Sequence, residues 1–184
     1  MKEIEVKILE IDKQTVEQKL LSLGAQKIFD GLIVTVFFDF PDHRLTKNKN
    51  LLRLRKKGSK TLLTLKQSVH DISMKVMQEY EVEISDFENM KTILEYLGFQ
   101  QLLTVHKHRI SYKYNNILCE IDIHTDEFSY IPPFLEIEAE TKTSIYECAR
   151  KLGFNKADCK PWNFYDVVQY YSKKDRNSIH VISI

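Results

Sequence analysis

Charged residues alternate with apolar residues along several stretches of this sequence, and most of these stretches carry charges of one sign. The first stretch, "EIEVKIL", places Glu3, Glu5 and Lys7 on one side of a period-two pattern. The acidic rows are Glu3 and Glu5, then Glu79, Glu81 and Glu83, then Glu120 and Asp122, then Glu136, Glu138 and Glu140. The basic rows are Arg53, Arg55 and Lys57, then Lys107 and Arg109, with Lys66 on a further strand. Carboxylates at every second position of a strand lie about 7 Å apart on one face, a spacing that suits shared cations.

Rows of like charge on a sheet face repel one another and therefore need partners. One such row alone is compatible with the solvent-exposed face of a half-buried sheet. Several rows of both signs favour a ligand-binding site, because Mg²⁺ and Mn²⁺ are coordinated by carboxylate oxygens while Arg and Lys bind phosphate oxygens. A polyphosphate that carries metal ions needs both kinds of residue. Since the sequence has no P-loop glycine signature, side chains rather than backbone amides would hold the phosphates.

The rows lie on stretches that have the alternation of β-strands. The predicted strands cover residues 2–10, 32–40, 51–57, 61–67, 77–85, 104–114, 117–124 and 134–141. Helices are predicted from the N-cap Asp12 to Gly24, over 87–97, over 143–152, and in "KPWNFYDVVQYY" with Pro161 in the first turn. Short turns such as "YNNI" favour an antiparallel sheet or barrel. The apolar residues between the charges would then face the helices.

Composition narrows the functional classes. The 27 Lys and Arg residues against 26 Asp and Glu residues give a formal charge of +1, which argues against a nucleic-acid partner. An apolar content of 43% describes a globular protein, and no apolar run approaches the roughly 20 residues that span a bilayer, so no membrane partner is expected. The first residues lack the apolar segment of a secretory signal, and the expected location is cytoplasmic. The three cysteines are expected to be free thiols.

The charged motifs resemble those of one family. "EIEVK" resembles the E-x-E-x-K signature of the CYTH family, the triphosphate tunnel metalloenzymes, which includes class IV adenylyl cyclases, thiamine triphosphatases and inorganic triphosphatases. The later motifs follow in the family's order. "VFFDFPD" is similar to the family's aromatic-Asp-x-Pro segment, and "LLRLRKKGSKTLLTLK" is similar to its L-R-x-R hairpin that ends in T-x-K. "VHKHR" is similar to its K-x-R strand, "CEID" to its strand with an inward Asp, and "FLEIE" to its late E-x-E motif. The resemblance covers residues 2–172.

The resemblance implies an α+β fold, an eight-stranded antiparallel β-barrel or tunnel with helices packed outside. This tunnel domain would occupy residues 1–174, and residues 175–184 would form a tail whose structure stays open. The metal, Mg²⁺ or Mn²⁺, would be held by Glu3, Glu5, Glu81, Asp122, Glu136 and Glu138, with the choice among Glu79, Glu81 and Glu83 left open. The triphosphate would be bound by Lys7, Arg53, Arg55, Lys66, Lys107 and Arg109. Lys7, Glu5 and Glu138 are the expected catalytic residues.

The expected activity is metal-dependent hydrolysis of a small-molecule triphosphate: inorganic tripolyphosphate, thiamine triphosphate or a nucleoside triphosphate. A class IV adenylyl cyclase that converts ATP to cyclic AMP and pyrophosphate is the alternative, since "LGF" before "VHKHR" resembles the cyclase-like subgroup. A non-catalytic polyphosphate- or nucleotide-binding module is a second alternative, and a homodimer stays open. The chain departs from the family pattern at Met77 or Gln78, where relatives often have Arg, and at Asn163 and Phe164, where a Ser-Tyr pair is usual. His106 and His108 flank Lys107 and are expected to point to the other face.

Overall fold

The computed structural model describes residues 4–69 and 76–174. In these residues it is an α+β structure, in which one antiparallel sheet is accompanied by helices. The strands are β1 (Ile4–Ile8), β2 (Gln26–Asp39), β3 (Leu51–Lys57), β4 (Lys60–Val69), β5 (Val76–Ile84), β6 (Gln100–Tyr114), β7 (Ile117–His124) and β8 (Phe134–Ala139). The helices are α1 (Lys13–Ser22), α2 (Arg44–Lys47), α3 (Phe87–Tyr96), α4 (Lys142–Lys151) and α5 (Phe164–Lys174), with single 3₁₀ turns at Asp126–Phe128 and Lys156–Asp158.

The strands are hydrogen-bonded in the order β1-β8-β7-β6-β2-β3-β4-β5. This order confirms the predicted sheet of eight antiparallel strands. The predicted closure into a barrel is not observed within the described residues, because β1 and β5 stand at the two ends of the order. The outer edge of β1 is paired with a different segment: the Lys7 and Lys160 backbones exchange two N–H···O bonds of 2.8 Å. The chain that leads into α5 therefore protects this edge.

The chain divides into two compact units, and the described part of the first contains residues 4–31 and 107–174. Its core lies between one face of β1, β6, β7 and β8 and the helices α1 and α4. Val6, Ile121 and Ile137 come from the strands, and Leu20 and Ile145 come from the helices, and all five side chains are buried. Because strand side chains alternate between faces, the charged residues between these positions lie on the opposite face, as predicted.

The second unit contains residues 32–106 in its described part, and it repeats this division of faces. Val36, Phe38, Leu52 and Leu54 of β2 and β3 pack with Leu94 of α3 in a separate apolar cluster. Each fully buried side chain of this size stabilises the fold by about 1.5–3 kcal/mol. The arginines of β3 alternate with these leucines and therefore lie on the other face of the sheet.

The ends of the helices follow the predicted capping chemistry. The carboxylate of Asp12 accepts the Thr15 backbone N–H at 2.8 Å at the start of α1, which satisfies a donor that the helix leaves unpaired. The helices α1, α3 and α4 are followed by Gly24, Gly98 and Gly153, each with a positive φ of 82° to 90°. A side chain at these positions would be strained, so the shared "LG" pattern is explained as a C-terminal helix stop.

Several element boundaries differ from the predictions. β2 begins at Gln26 rather than 32 and β6 at Gln100 rather than 104, because backbone pairing continues past the clearly apolar residues. α5 begins at Phe164, after Pro161, because the Asn163 side chain accepts the Asp166 N–H at 3.1 Å while the Asp166 carboxylate accepts the Asn163 N–H at 2.8 Å. None of the helices in the described residues has the length and apolar character that a membrane crossing requires.

Candidate functional site

Adjacent strands of the first unit present a charged face on the side opposite the apolar core. The strand pairing fixes which charged residues are neighbours on this face. Glu5 lies opposite Glu138, Lys7 and Glu120 both lie opposite Glu136, Arg109 lies opposite Asp122, and Lys107 lies opposite His124. Directly opposed residues have Cβ atoms about 4.5–5.5 Å apart, so their side chains interact. Residues that are more than 100 positions apart in the sequence are thereby brought onto one surface.

Arg109 lies in the middle of this face, and only 6% of its surface is exposed. Its Nε and Nη2 donate to the two carboxylate oxygens of Asp122 at 2.6 Å each, the bidentate geometry of strong charge-assisted hydrogen bonds. Nη2 also donates to Glu136 at 3.2 Å, and Nη1 donates to Glu120. Burial lowers the pKa of Arg109, but the charge of Asp122 and the other carboxylates raises it well above its usual value. The guanidinium therefore stays charged.

Asp122 and Glu136, two of the carboxylates that Arg109 contacts, are held in their ionised form. Burial raises the pKa of Asp122, but Arg109 and then Lys107 outweigh it, so the pKa lies well below the usual range. The Lys107 ammonium reaches Asp122 at 2.6 Å. Burial likewise raises the pKa of Glu136, but Arg109 and Lys7 lower it to about 2. Asp122 is thus bound to two cations in this state.

Glu5 and Glu136 share Lys7 at the β1 end of the face. The buried Lys7 ammonium lies 3.1 Å from Glu5 and 3.7 Å from Glu136. Partial desolvation raises the pKa of Glu5, the charge of Glu136 raises it further, and Lys7 only partly opposes them. Burial lowers the pKa of Lys7, but Glu136 and Glu5 raise it more, so the ammonium stays charged. One lysine therefore does not neutralise this pair of carboxylates.

The residues of this face fit a divalent cation by their chemistry and their charge. Five carboxylates against three cations leave a formal charge of −2 on the eight side chains, which are Glu5, Glu120, Asp122, Glu136, Glu138, Lys7, Lys107 and Arg109. Carboxylate oxygens are the donors that Mg²⁺ and Mn²⁺ prefer. Within residues 4–69 and 76–174, no three Asp, Glu, His or Cys side chains are already gathered into a finished metal site. Glu5, Glu136 and Glu138 are the three best placed, since they occupy opposed and alternate positions of β1 and β8.

The predicted residues of the second unit lie on a charged face of β3, β4 and β5. Arg53 and Lys66 both contact Glu79, with N···O distances of 3.3 Å and 2.8 Å. Arg55 donates to the Thr35 hydroxyl at 3.4 Å. Glu81 accepts a hydrogen bond of 2.8 Å from the buried Thr64 hydroxyl. The sorting of these rows onto one face is as predicted, whereas the opposed pairs of residues could not be read from the sequence.

The predicted site residues are thus distributed over both units. The first unit brings together Glu5, Lys7, Lys107, Arg109, Asp122, Glu136 and Glu138, and the second holds Arg53, Arg55, Lys66 and Glu81. Glu3 lies outside the described residues, as do residues 175–184 of the predicted tail. Among the flanking residues, His108 points to the other face as expected and lies 3.1 Å from Asp30.

Sequence reasoning did not assign two residues of the first charged face to the site. Glu120 binds Arg109 and accepts the Ser111 hydroxyl at 2.7 Å. His124 continues the alternation of Glu120 and Asp122, so its place on this face could have been found from the two-residue period. Its ring stacks between Phe134 and Phe164, with centroid distances of 5.4 Å and 5.1 Å. Burial, and then the charge of Lys107, lower the pKa of His124 to about 4.

Comparison with known proteins accounts for this arrangement of motifs. A protein-family model described as "CYTH domain" matches residues 1–154. The chain belongs to the CYTH family. A candidate adenylate cyclase of Methanocaldococcus jannaschii is 30% identical to this CYTH chain over 138 residues, which are 75% of this chain and 77% of that protein.

Solved structures of other proteins share the fold of this CYTH chain. A protein of Pyrococcus horikoshii OT3 superposes with a TM-score of 0.72 at 28% identity, covering 90% of this chain and 99% of its own. A candidate adenylyl cyclase of Hippeastrum, described as having a dominant triphosphatase activity, has a TM-score of 0.63 at 18% identity and covers 92% of this chain and 96% of its own. At that identity the similarity shows the fold alone.

Proposed function

We propose that this CYTH chain hydrolyses a small-molecule triphosphate with the help of Mg²⁺ or Mn²⁺. The observation that carries the proposal is the charged face of β1, β8, β7 and β6, where the buried Lys7 and Arg109 and the partly buried Lys107 lie among carboxylates that outnumber these cations by two. Like charges that face one another on a sheet are destabilising, and on this face Glu5 lies opposite Glu138 and Glu120 lies opposite Glu136. A metal ion would neutralise the excess carboxylates, and a phosphate chain would bind the ammonium groups.

Glu5, Glu136 and Glu138 are the proposed ligands of a divalent cation on this face. When bound, such an ion lowers the pKa of a coordinated water and neutralises charge on phosphate oxygens. The raised pKa of Glu5 supports this assignment, since desolvation and then the charge of Glu136 disfavour its ionised form and a bound cation would offset both. The metal roles of Glu3, Glu81 and Asp122 stay proposals from the family resemblance.

Lys7 and Lys107 are proposed to bind phosphate oxygens by exchanging their present carboxylate partners. Both are ammonium groups at the rim of the Arg109 network, and each can turn toward a ligand while its stem stays packed. Arg109 donates from all three nitrogens to carboxylates, so it would keep Asp122 and Glu136 ionised and contact phosphate through an exchange of one partner. Arg53, Arg55 and Lys66 are proposed phosphate-binding residues of the second unit.

In the proposed reaction, the oxygen of a water molecule bonds to the terminal phosphorus while the bond to the bridging oxygen breaks. Glu5 and Glu138 are proposed to act in this reaction as ligands of the cation, and the proton of the attacking water would pass to solvent or to the departing phosphate oxygen. Lys7 remains charged and would stabilise the negative charge that develops on the phosphate oxygens. No covalent intermediate on the protein is required for this transfer.

Cyclisation of ATP is the second candidate function, favoured by the candidate adenylate cyclase of M. jannaschii at 30% identity. The same carboxylates and cations would then hold ATP while its ribose 3′-hydroxyl attacks the α-phosphorus and pyrophosphate leaves. The Hippeastrum protein shares the fold and is described as mainly a triphosphatase, so this fold accommodates hydrolysis. A module that binds polyphosphate without turnover is the remaining alternative.

A phosphorus NMR time course distinguishes the three functions. The protein is incubated with Mg²⁺ or Mn²⁺ and, separately, with tripolyphosphate, thiamine triphosphate or ATP. We expect orthophosphate to be released from at least one of them. Cyclic AMP together with pyrophosphate would identify the cyclase instead, and binding without turnover would identify the binding module.

The Glu138→Gln variant tests the role of the metal carboxylates. We expect it to lower turnover by at least about 100-fold, the effect typical of losing a charge from a catalytic site. Glu140→Gln is the matched control, since Glu140 continues the same alternation but is exposed beyond the end of β8. Equal turnover in both variants and the unchanged protein would contradict the proposed metal site.

A further inference from the structure

His124 is a buried histidine whose ring nitrogens have no hydrogen-bond partner in the part of the chain that the structure describes. Only 4% of its surface is exposed, and neither Nδ1 nor Nε2 finds a donor or acceptor among the described residues. Nearly all buried polar side chains in folded proteins are hydrogen-bonded, because an unpaired one loses its interactions with water and gains nothing in return. An exception on a charged face calls for a physical explanation.

The position of His124 places it at the Lys107 end of the charged face. It lies directly opposite Lys107 across the β6–β7 pair, and it follows Asp122 on the same side of β7. Stacking against Phe134 and Phe164, at interplanar angles of 25° and 18°, fixes the plane of its ring. The ring faces are therefore occupied by aromatic contacts, and only the ring edge, which carries both nitrogens, remains for a polar partner.

The charge state of the ring limits which partner it can take. A protonated ring would add a second positive charge beside the Lys107 ammonium in a buried place, so the position favours the neutral imidazole. A neutral imidazole has one N–H donor and one acceptor nitrogen. A ligand drawn to the ammonium group of Lys107 is anionic and offers acceptor oxygens, which an N–H of the ring can meet without burying a second charge.

We propose that His124 donates a hydrogen bond to a phosphate oxygen of the bound triphosphate, at the phosphate group that Lys107 contacts. His124 is thus a further substrate-binding residue of the first charged face, and this inference rests on the proposed function. The two phenylalanine rings position it, so that the hydrogen bond is fixed in direction before the ligand arrives. Solvent does not reach the ring nitrogens in this state, so an oxygen approaches only after neighbouring side chains move. Lys107 is the flexible neighbour that a phosphate would draw toward itself.

Binding measurements with substituted proteins test the proposal. The probe is an analogue of tripolyphosphate whose bridging oxygens are replaced by methylene groups, added with Mg²⁺ so that it binds without being hydrolysed. His124→Phe keeps an aromatic ring in the stack but removes both nitrogens, and we expect titration calorimetry to show binding weakened about 10- to 100-fold, as for the loss of a hydrogen bond to a charged group. His108→Phe is the matched control on the same strand pair and should bind like the unchanged protein.

Two amide variants identify the nitrogen that donates. The side-chain nitrogen of Asn occupies nearly the position of Nδ1 and that of Gln nearly the position of Nε2, so one of His124→Asn and His124→Gln should recover part of the lost affinity. Thermal unfolding without ligand separates binding from folding. His124→Phe should unfold at the same or a higher temperature, because replacing an unpaired polar ring by an apolar one removes a desolvation cost.

A measurement on the unchanged protein avoids dependence on the variants. With ¹⁵N-labelled histidine, NMR should show the resonance of one His124 ring nitrogen shifting when the analogue and Mg²⁺ are added, while those of His108 stay in place. Tight binding of the analogue with equal affinity in His124→Phe, or an unmoved His124 resonance at saturation, would overturn the inference and leave the proposed function standing. Failure of the unchanged protein to bind the analogue at all would overturn both.

Discussion

Replacing Arg109 by leucine should destabilise the protein strongly at neutral pH. The guanidinium is buried and donates to Glu120, Asp122 and Glu136, so its removal leaves three carboxylates without their common partner. Removing one partner of a buried ion pair costs about 3–5 kcal/mol. Since Lys107 and Lys7 still contact two of the carboxylates, we expect a loss in the free energy of unfolding near the lower limit, about 3 kcal/mol.

The same substitution should change the dependence of stability on pH. In the unchanged protein the pKa of Glu136 is lowered to about 2, so its contribution is complete above the pKa of the unfolded chain, about 4.3, and is lost as the pH falls from there toward 2. Without Arg109, burial becomes the dominant influence and raises the pKa of these carboxylates above the unfolded value. The Arg109→Leu variant should therefore gain more stability between pH 7 and pH 5 than the unchanged protein, in which the raised pKa of Glu5 already acts in the same direction.

Urea unfolding followed by the fluorescence of the single tryptophan, at pH 7, 5 and 3 without divalent cations, measures both effects. Arg109→Lys should fall between the two proteins, because it keeps the charge but loses the bidentate geometry. Arg150→Leu is the matched control, since Arg150 lies exposed in the last turn of α4. A loss of less than about 1 kcal/mol, the size of an exposed ion pair, with an unchanged pH dependence, would refute the reasoning.

Five further substitutions test other parts of the structure by urea unfolding or metal titration. Asp39→Ala should cost about 2–3 kcal/mol, because this buried carboxylate accepts three backbone N–H groups and a hydroxyl, whereas the exposed Asp42→Ala should cost little. Gly153→Ala and Gly24→Ala should each cost about 1 kcal/mol for the positive φ. Gly153→Ala should cost slightly more, because its Cβ would displace the Lys19 ammonium, which donates to the Leu152 carbonyl at 2.7 Å; a smaller loss for Gly153→Ala than for Gly24→Ala would contradict that contact. Glu5→Gln should slightly stabilise the metal-free protein, because a neutral amide removes the repulsion between Glu5 and Glu136. The same variant should bind Mg²⁺ more weakly in titration calorimetry, and an unchanged Mg²⁺ affinity would argue against Glu5 as a ligand.

Much of the fold was predictable because strand and helix signals are local. The alternation of "LLRLRKK" predicts β3 with its leucines inside and its arginines on the other face, and the structure confirms this division. The short helix α2 was not predicted, because it depends on hydrogen bonds from Leu45 and Thr46 back to Asp39. The early start of β2 at Gln26 was missed for a similar reason, since pairing with a neighbour extends a strand beyond its apolar residues.

The sequence predicted which charged residues share one face of each strand, but it did not predict which of these residues contact one another. A row of like charges indicates a partner, but it does not say which strand supplies that partner. Lys7 contacts Glu136 only because β1 pairs with β8. Asp122 contacts both Lys107 and Arg109 only because β7 pairs with β6. The two-residue period places His124 on the charged face, but the sequence does not show that its ring is buried and stacked between aromatic rings.

The sequence by itself therefore determined the faces of the strands, the signs of the charged rows, the caps of the main helices and the resemblance to the CYTH family, because each depends on residues close together in the chain. Only the tertiary structure decided which rows became neighbours. The order of strands depends on the burial of their apolar residues against α1 and α4 in the first unit and against α3 in the second, a long-range property that no local pattern encodes. From that order come the central place of Arg109, the excess of two carboxylates on the first charged face, and the unpaired ring of His124 beside Lys107.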